Sequence, residues 1–156
     1  DNSGKRDKYF YELCDSLFTE NNKTEFPHKG GNELLDIKQV IQEYNIRDND
    51  IIIKLTGRYR LLNNSFFDMV INNVHKYEAF IKFFNVDAKE FMHDDCVLGL
   101  FAIKCKYLKK FQYNFKRSPE SEFAMFIRQN IKDKIMEINS LGLECMFSRN
   151  SKILCV

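Results

Sequence analysis

The feature that most constrains the fold is a nearly continuous β-branched run in the middle of the chain, Ile51-Ile52-Ile53-Lys54-Leu55. Such a run is typical of a strand that is buried on both faces, as in parallel sheets with a layer of helices on each side. Gly57 ends the run, and turn-forming residues precede it. The run therefore predicts an α/β protein whose central sheet contains this strand.

Helical patterns alternate with apolar segments on both sides of this run. From Asn32, which can act as an N-cap, apolar residues recur at helical spacing as far as Tyr44. The patterns predict further helices over 65–74, over 105–111 and from Ser118 to about Met136, and strands over 77–84, 97–103, 143–147 and 153–156. Together they predict one α/β domain over residues 1–156, with a mostly parallel sheet and helices on both faces.

Composition excludes several classes of protein. A chain of 156 residues is long enough for one domain with a real core. The 24 basic and 22 acidic residues leave a net charge of +2, which does not by itself indicate nucleic-acid binding. No apolar run approaches the ~20 residues that span a bilayer. The five cysteines form no C-x-x-C pair, so reduced thiols and a cytoplasmic location are expected.

The position of a motif relative to its strand decides what it can do. In open α/β sheets, ligands bind beyond the carboxyl ends of the strands. Asp48-Asn49-Asp50 has the D-x-D spelling with which many sugar transferases hold a metal, but it precedes the strand. We therefore interpret it as a solvated turn. Thr56-Gly57-Arg58-Tyr59 follows the same strand and is expected at the ligand-binding edge.

Two segments have the chemistry to bind a phosphorylated ligand. Gly57 allows close approach of a ligand to the backbone, Arg58 offers a fork of donors for a pyrophosphate, and Tyr59 can stack on a base or sugar. A strand end with a surface Arg and a packed Tyr is the alternative. The segment 29–32, Lys-Gly-Gly-Asn, precedes a helix, whose N-terminus favours anions. A Gly pair before a helix is also common as a simple loop.

Two glutamates lie in the first turn of the helix that Ser118-Pro119 opens. Both complement the helix dipole, but at 100° per residue they face different directions. Glu120 falls on the inward face, where an ionised carboxylate is costly unless it borders a cleft. Glu120 is therefore the better candidate for a general base, and Glu122 the less favoured one, which we expect to be solvated.

Two polar stretches remain. His93-Asp94-Asp95 has metal-ligand chemistry, but it precedes a strand and is also explained as a polar loop, so no residue is assigned as a metal ligand. A basic stretch with interleaved aromatics is more simply a solvated helix face than a polyanion site. Its cationic members are Lys104, Lys106, Lys109, Lys110, Lys116 and Arg117.

Taken in order, these segments resemble the inverting GT-A glycosyltransferases, the family-two type in particular. Asp1-Asn2-Ser3 is similar to the Asp-Asn loop that contacts the nucleotide base. The strand Ile51–Leu55 with Thr56 is similar to the strand that normally ends in D-x-D. Segment 99–104 with the helix start at Glu120 resembles the acceptor-side strand and its catalytic E-D helix. The spelling of 54–59, Lys-Leu-Thr-Gly-Arg-Tyr, also resembles a K-[IL]-[ST]-G-R-Y signature of glycosyltransferase-like proteins from bacteria and large DNA viruses.

The resemblance implies transfer of a sugar from a nucleotide-diphosphate donor to a glycan, protein or lipid hydroxyl, with inversion. Glu120 is the implied base, and Asp94 and Asp95 are implied to hold acceptor hydroxyls. The implied donor contacts are Asp1, Asn2, Lys29, Gly30, Gly31, Asn32, Lys54, Thr56, Gly57, Arg58 and Tyr59.

Two departures from the family pattern modify these expectations. Thr56-Gly57-Arg58 stands where D-x-D is usual, so Arg58 and Lys54 are expected to neutralise the diphosphate, and a divalent metal (Mn or Mg) stays open as a cofactor. If Asp1 follows the second strand of the fold, the first β-α-β elements are absent. A non-catalytic nucleotide-sugar or glycan-binding module of the same fold is therefore one alternative. A polyanion-binding domain is another.

Overall fold

A computed structural model describes residues 14–21, 30–57, 59–146 and 153–156 of the chain. The helices are α1 (Gly30–Glu43), α2 (Ser65–Asn73), α3 (Cys105–Lys110) and α4 (Pro119–Ile131), and a 3-10 turn (Lys132–Lys134) follows α4. The strands are β1 (Ile51–Leu55), β2 (Tyr59–Leu61), β3 (Ala79–Ile81), β4 (Leu100–Lys104), β5 (Ile135–Glu137), β6 (Leu143–Met146) and β7 (Ile153–Cys155). The predicted α/β class is confirmed, but β2 and β5 lie where no strand was predicted.

The main sheet is mixed and the smaller one is antiparallel, which corrects the prediction of a mostly parallel arrangement. The main sheet has the order β1-β4-β3-β5, and a smaller one has the order β2-β6-β7. β4 pairs antiparallel with both β1 and β3, whereas β3 and β5 run parallel. Strand direction depends on which distant segment pairs with a strand, and the local apolar pattern does not encode that choice.

β1 also differs from its prediction in burial. It lies at the edge of the described main sheet, its first four residues are half-buried, and Leu55 is exposed. β3 and β4 are the strands that are buried on both faces. The β-branched run thus predicted the strand correctly, but the predicted position in the centre of the sheet was wrong.

Alternating side chains of β3 and β4 supply two cores, one on each face of the main sheet. Ala79, Ile81, Phe101 and Ile103 pack with residues of α1, α3 and α4 on one face. Phe80, Leu100 and Ala102 pack with residues of α2 and of the smaller sheet on the other. The main sheet is therefore a middle layer, covered by helices on one side and by α2 with the smaller sheet on the other.

α4 is shorter than predicted. Ser118 caps it through a hydrogen bond that its hydroxyl accepts from the Ser121 N–H at 3.1 Å, and Pro119 occupies the first turn, as the sequence indicated. The helix ends at Ile131, and Lys132 has a φ of +54°. Ile135, which continues the helical spacing of apolar residues, lies instead in β5 opposite Ala79. The spacing of apolar residues alone does not show whether Ile135 packs as the last turn of a helix or as a residue of a strand.

Candidate functional site

A cleft of about 480 Å³ lies beyond the carboxyl end of β1. The N-termini of α1 and α4 border it, together with the loop after β3 and the segment before β4. Its lining residues are Gly30, Glu33, Lys54, Thr56, Tyr59, Phe84, Asn85, Val86, Asp87, Asp95, Cys96, Val97, Leu98, Gly99, Ser118, Pro119 and Glu120.

Many of the residues singled out in the sequence meet in this cleft, although they come from distant segments. Gly30, Lys54, Thr56 and Tyr59 line it, and so do Asp95 and Glu120. Gly31, Asn32, Gly57, Asp94 and Glu122 do not line it, and Asp1, Asn2, Lys29 and Arg58 lie outside the described residues.

Two close approaches fix the shape of the cleft. A Cβ atom on Gly30 would lie 2.5 Å from Cγ of Pro119, so the absence of a side chain lets the N-termini of α1 and α4 touch. A Cβ atom on Gly99 would lie 2.0 Å from Cε2 of Tyr59, so Gly99 makes room for the Tyr59 ring. The predicted role of Gly57 differs, because a Cβ there would meet nothing within 4 Å.

The Lys54 ammonium is already neutralised in the cleft. Its Nζ lies 2.9 Å from Oε2 of Glu33, donates to the Leu98 carbonyl at 2.6 Å, and also donates to the Thr56 hydroxyl. Only 12% of its side chain is exposed. Lys54 therefore holds α1, β1 and the segment before β4 together, and its charge is shared with Glu33 before any ligand binds.

Glu120 has the environment expected of a proton acceptor in a partly dry site. It lies in the first turn of α4 and is half-buried. Burial raises the pKa of Glu120, and the nearby charges of Asp95 and Glu33 raise it further, although hydrogen bonds from its own backbone N–H and from Ser118 act in the opposite direction. A carboxyl whose pKa is raised is a stronger base once it is ionised.

Glu122 is not simply solvated, which corrects its prediction. Its carboxylate accepts hydrogen bonds from the backbone N–H groups of Asn114 (2.7 Å), Lys116 (2.7 Å) and Arg117 (3.0 Å). Burial alone would raise the pKa of Glu122, but these N–H groups lower it. The residue fixes the loop that leads into α4, so the structure separates the two glutamates: Glu120 borders the cleft and Glu122 holds a loop.

Asp95 is buried at the bottom of a hydrogen-bonded loop. Its Oδ2 accepts from the Asn85 amide at 2.6 Å and its Oδ1 from the Cys96 N–H at 2.8 Å. Burial raises the pKa of Asp95, as do the charges of Asp94 and Asp87, against the two hydrogen bonds. Its neighbour Asp94 is exposed and lies 3.5 Å from Arg117, outside the cleft lining.

Carboxylates outnumber cations among the described lining residues. Glu33, Asp87, Asp95 and Glu120 face one lysine, Lys54. The described part of the chain nevertheless contains no group of three or more His, Cys, Asp and Glu placed to hold a metal ion.

The early D-x-D is a turn, as predicted. Asp48 pairs with Lys109 at 2.6 Å and Asp50 with Arg47 at 3.1 Å, and neither aspartate lines the cleft. The basic stretch is also largely paired. Lys104 and Lys106 contact Glu78, Lys109 contacts Asp48, and Arg117 contacts Asp94.

Sequence reasoning missed Glu33, Asn85, Phe84 and Asp87 as parts of the cleft. Glu33 had a weak signal, since an acid two residues after a Gly pair fits a first helical turn. Asn85 and its neighbours had none, because their place depends on how the loop after β3 folds back onto Asp95.

Comparison with known proteins supports the fold. No family model and no curated protein matches the sequence. Among solved structures, the crystal structure of A197 from STIV is similar, with a TM-score of 0.52 and 10% identity, over 89% of this chain and 79% of that one. At this identity the likeness shows a shared mixed α/β fold and nothing of activity.

Within the ranges that the structure describes, no helix has the length and apolar character needed to cross a bilayer.

Proposed function

We propose that this chain is a GT-A-like glycosyltransferase domain that moves a sugar from a nucleotide-diphosphate donor to a hydroxyl acceptor with inversion. The observation that carries the proposal is the half-buried Glu120, which borders a cleft at the carboxyl end of β1 and has a raised pKa. The order of motifs that resemble the inverting family supports it.

In the proposed reaction, Glu120 removes the proton from the acceptor hydroxyl as its oxygen attacks the anomeric carbon. The bond from that carbon to the diphosphate breaks on the opposite face, which inverts the configuration. Glu120 keeps the proton and the nucleotide diphosphate leaves with the bonding electrons. The base is worth roughly 10²–10⁴-fold in rate in comparable enzymes.

The leaving diphosphate needs positive potential. The N-termini of α1 and α4 meet at the cleft through Gly30 and Pro119, and the dipole of each helix favours an anion at its N-terminus. Lys54 contributes a cation that is shared with Glu33. Arg58, which lies outside the described residues, is proposed to add a second cation, and no step is assigned to a metal.

The test is a transfer and donor-hydrolysis assay on the purified chain with UDP-, GDP- and dTDP-sugars, with and without Mn²⁺. We expect Glu120→Gln to lower kcat by about 10²-fold or more. Glu43→Gln is the matched comparison, because it makes the same change at an exposed residue of α1 outside the cleft, and we expect it to keep most of the activity. Turnover that is unchanged in Glu120→Gln contradicts the proposal.

The acidic balance of the cleft favours a second candidate, a non-catalytic sugar-binding module of the same fold. Four carboxylates and one shared lysine are a poor environment for a diphosphate, whereas they suit neutral hydroxyl groups. This candidate predicts sugar binding without hydrolysis of any donor. A measurable affinity for a free sugar, together with no nucleotide release above background, would select it over the transferase.

A further inference from the structure

Three lysine side chains converge on one carboxylate at the end of β3 that is far from the cleft. Glu78 directly precedes β3, whereas the cleft lies beyond the other end of this strand, where Phe84 lines it. The ammonium groups of Lys104 and Lys134 each lie 3.4 Å from Oε1 of Glu78, and that of Lys106 lies 2.9 Å from Oε2. Lys134 comes from the turn after α4, so this lysine cluster (Lys104, Lys106 and Lys134) forms only in the folded chain. Its cations share one anion, which leaves an excess of positive charge.

The Glu78 carboxylate has no capacity for further donors. Its Oε1 atom accepts from the ammonium groups of Lys104 and Lys134, and its Oε2 atom contacts Lys106 and accepts from the Tyr107 hydroxyl. An ionised carboxylate has about four lone-pair sites, and these contacts occupy them. Within the described residues no second acidic side chain pairs with any member of the lysine cluster. Since an ammonium group has several N–H donors, each lysine keeps a donor for an acceptor outside the protein.

The lysine cluster is held in place before any ligand binds. Glu78 and Tyr107 are buried beneath it, Lys104 is half-buried, and Lys134 is exposed. Backbone hydrogen bonds add to the side-chain contacts: the Lys104 N–H donates to the Glu78 carbonyl at 2.9 Å, and the Glu78 N–H donates to the Lys134 carbonyl at 2.8 Å. A ligand that binds here therefore loses little affinity to the ordering of these side chains.

The positions of the ammonium groups suit a ligand with several charged oxygens. Those of Lys104 and Lys134 lie at most about 7 Å apart, because both contact the same oxygen atom of Glu78 at 3.4 Å. Like charges at this separation repel, and an anion that contacts both relieves the repulsion. A phosphate group brings about two negative charges and several strong acceptor oxygens, so it can contact more than one ammonium group at once.

The protonation of Glu78 supports an excess of positive charge at this surface. Burial alone would raise the pKa of Glu78, but the hydrogen bonds from Lys106 and Tyr107 and the charge of Lys104 lower it to about 2. The positive groups thus outweigh the burial of the carboxylate. An anion at the surface of the cluster would meet a net attraction although Glu78 lies beneath it.

We propose that the lysine cluster, above the buried Glu78 carboxylate, is a binding site for a phosphate group. The site is separate from the cleft, so the inference does not rest on the proposed function. A hydrated network of ion pairs without a ligand is the alternative that the experiment must exclude.

The experiment titrates the full chain with sodium phosphate at pH 7 and follows the backbone amide signals by NMR. Sodium chloride keeps the ionic strength constant, so that the screening of charges does not change during the titration. We expect the amide signals of Glu78, Lys104 and Lys134 to shift and to saturate with a Kd of about 1 mM or tighter. Sulfate, which is also a doubly charged oxyanion, should compete for the same site.

Glycerol phosphate identifies the source of the phosphate group, with glycerol as its uncharged control. A Kd for glycerol phosphate within about tenfold of that for inorganic phosphate assigns the site to a phosphate group on a larger molecule. A weaker affinity assigns it to free phosphate, whose additional oxygen is then needed for binding.

Variants then locate the binding. Lys134→Gln removes one cation at an exposed position, so it should keep the fold and weaken phosphate binding at least about fivefold. Lys134→Arg keeps the charge and should bind phosphate within about twofold of wild type. Lys89→Gln is the matched control, because it removes an exposed lysine on the loop after β3, at the cleft end of that strand, and should leave the Kd unchanged.

Two results overturn the inference. Amide shifts that rise linearly to about 50 mM phosphate, without saturation, would show that the lysines are only hydrated. A loss of affinity in Lys134→Gln that is no larger than the loss in Lys89→Gln would show that phosphate responds to net charge alone. The transfer assay reports on Glu120 and the cleft, so failure of the proposed function and failure of this inference are distinguished.

Discussion

The surroundings of Glu78 lead to a quantitative prediction about the free energy of unfolding of this protein. This buried residue, 7% exposed, directly precedes β3, and its carbonyl accepts a hydrogen bond from the N–H of Lys104 at the end of β4. It accepts a hydrogen bond from the Tyr107 hydroxyl, and the ammonium groups of Lys106 (2.9 Å), Lys104 and Lys134 (both 3.4 Å) surround it. Burial alone would raise the pKa of Glu78, but the hydrogen bonds from Lys106 and Tyr107 and the charge of Lys104 lower it from 4.5 to about 2.

That shift corresponds to about 3 kcal/mol of stability at neutral pH. The side chains of Lys104, Lys106 and Lys134 are 20%, 28% and 59% exposed, so solvent screens part of their attraction to Glu78. We therefore expect Glu78→Gln to lower the free energy of unfolding by about 2 kcal/mol at pH 7. The sign follows from the lowered pKa: the contribution is complete above the unfolded value of 4.5 and is lost as pH falls toward 2.

Urea unfolding of wild type and Glu78→Gln at pH 7 and at about pH 3 measures both effects. The difference between the two proteins should fall to less than half its neutral value at the lower pH. Asp48→Asn is the control: it also removes a carboxylate beside a lysine, but an exposed one, and should be indistinguishable from wild type. A difference below about 0.5 kcal/mol at pH 7, or one that does not change with pH, would refute the reasoning.

Three further predictions concern the cleft. Gly99→Ala should lower the free energy of denaturant unfolding by about 1–3 kcal/mol and weaken ligand binding, because the Tyr59 ring must move. Gly57→Ala is the control and should leave the free energy of unfolding nearly unchanged, because the new methyl group meets nothing within 4 Å. Ser118→Ala should lower the free energy of unfolding by about 1 kcal/mol through loss of the α4 cap, and an unchanged midpoint would show that the cap contributes nothing. If Glu120 is the base, a plot of kcat/KM against pH should fall toward acid pH as Glu120 becomes protonated. The midpoint of this fall should lie above 4.5, because burial raises the pKa of Glu120. The residual activity of Glu120→Gln should not show this acid-side fall.

Local signals predicted the features that depend on local chemistry. Ser118-Pro119 marked the start of α4 because a cap and an N-terminal proline act within one turn. The position of Asp48-Asn49-Asp50 before its strand was enough to interpret it as a turn. The inward direction of Glu120 followed from helical geometry, and the structure agrees.

Features that depend on distant pairing were not predictable in the same way. The antiparallel pairing of β1 with β4 joins segments that no local pattern connects. The ion pair between Lys54 and Glu33, which joins β1 to α1 and shares the charge of Lys54, was not predictable from the local sequence. Asn85 has an ordinary loop environment in the sequence, and it acquires a role only when its loop folds back against Asp95.

The contact between Gly30 and Pro119 has a consequence for folding. It joins α1, near the start of the described chain, to α4, near its end, so the cleft requires a contact of long sequence separation. A partly folded chain with α1 undocked would keep much of β3, β4 and α4 but would have no binding site. Ligand affinity would therefore report on complete folding, and a ligand at a hundred times its Kd would stabilise the docked state by about 2.7 kcal/mol. Hydrogen exchange of the α1 amides should slow accordingly when ligand is added.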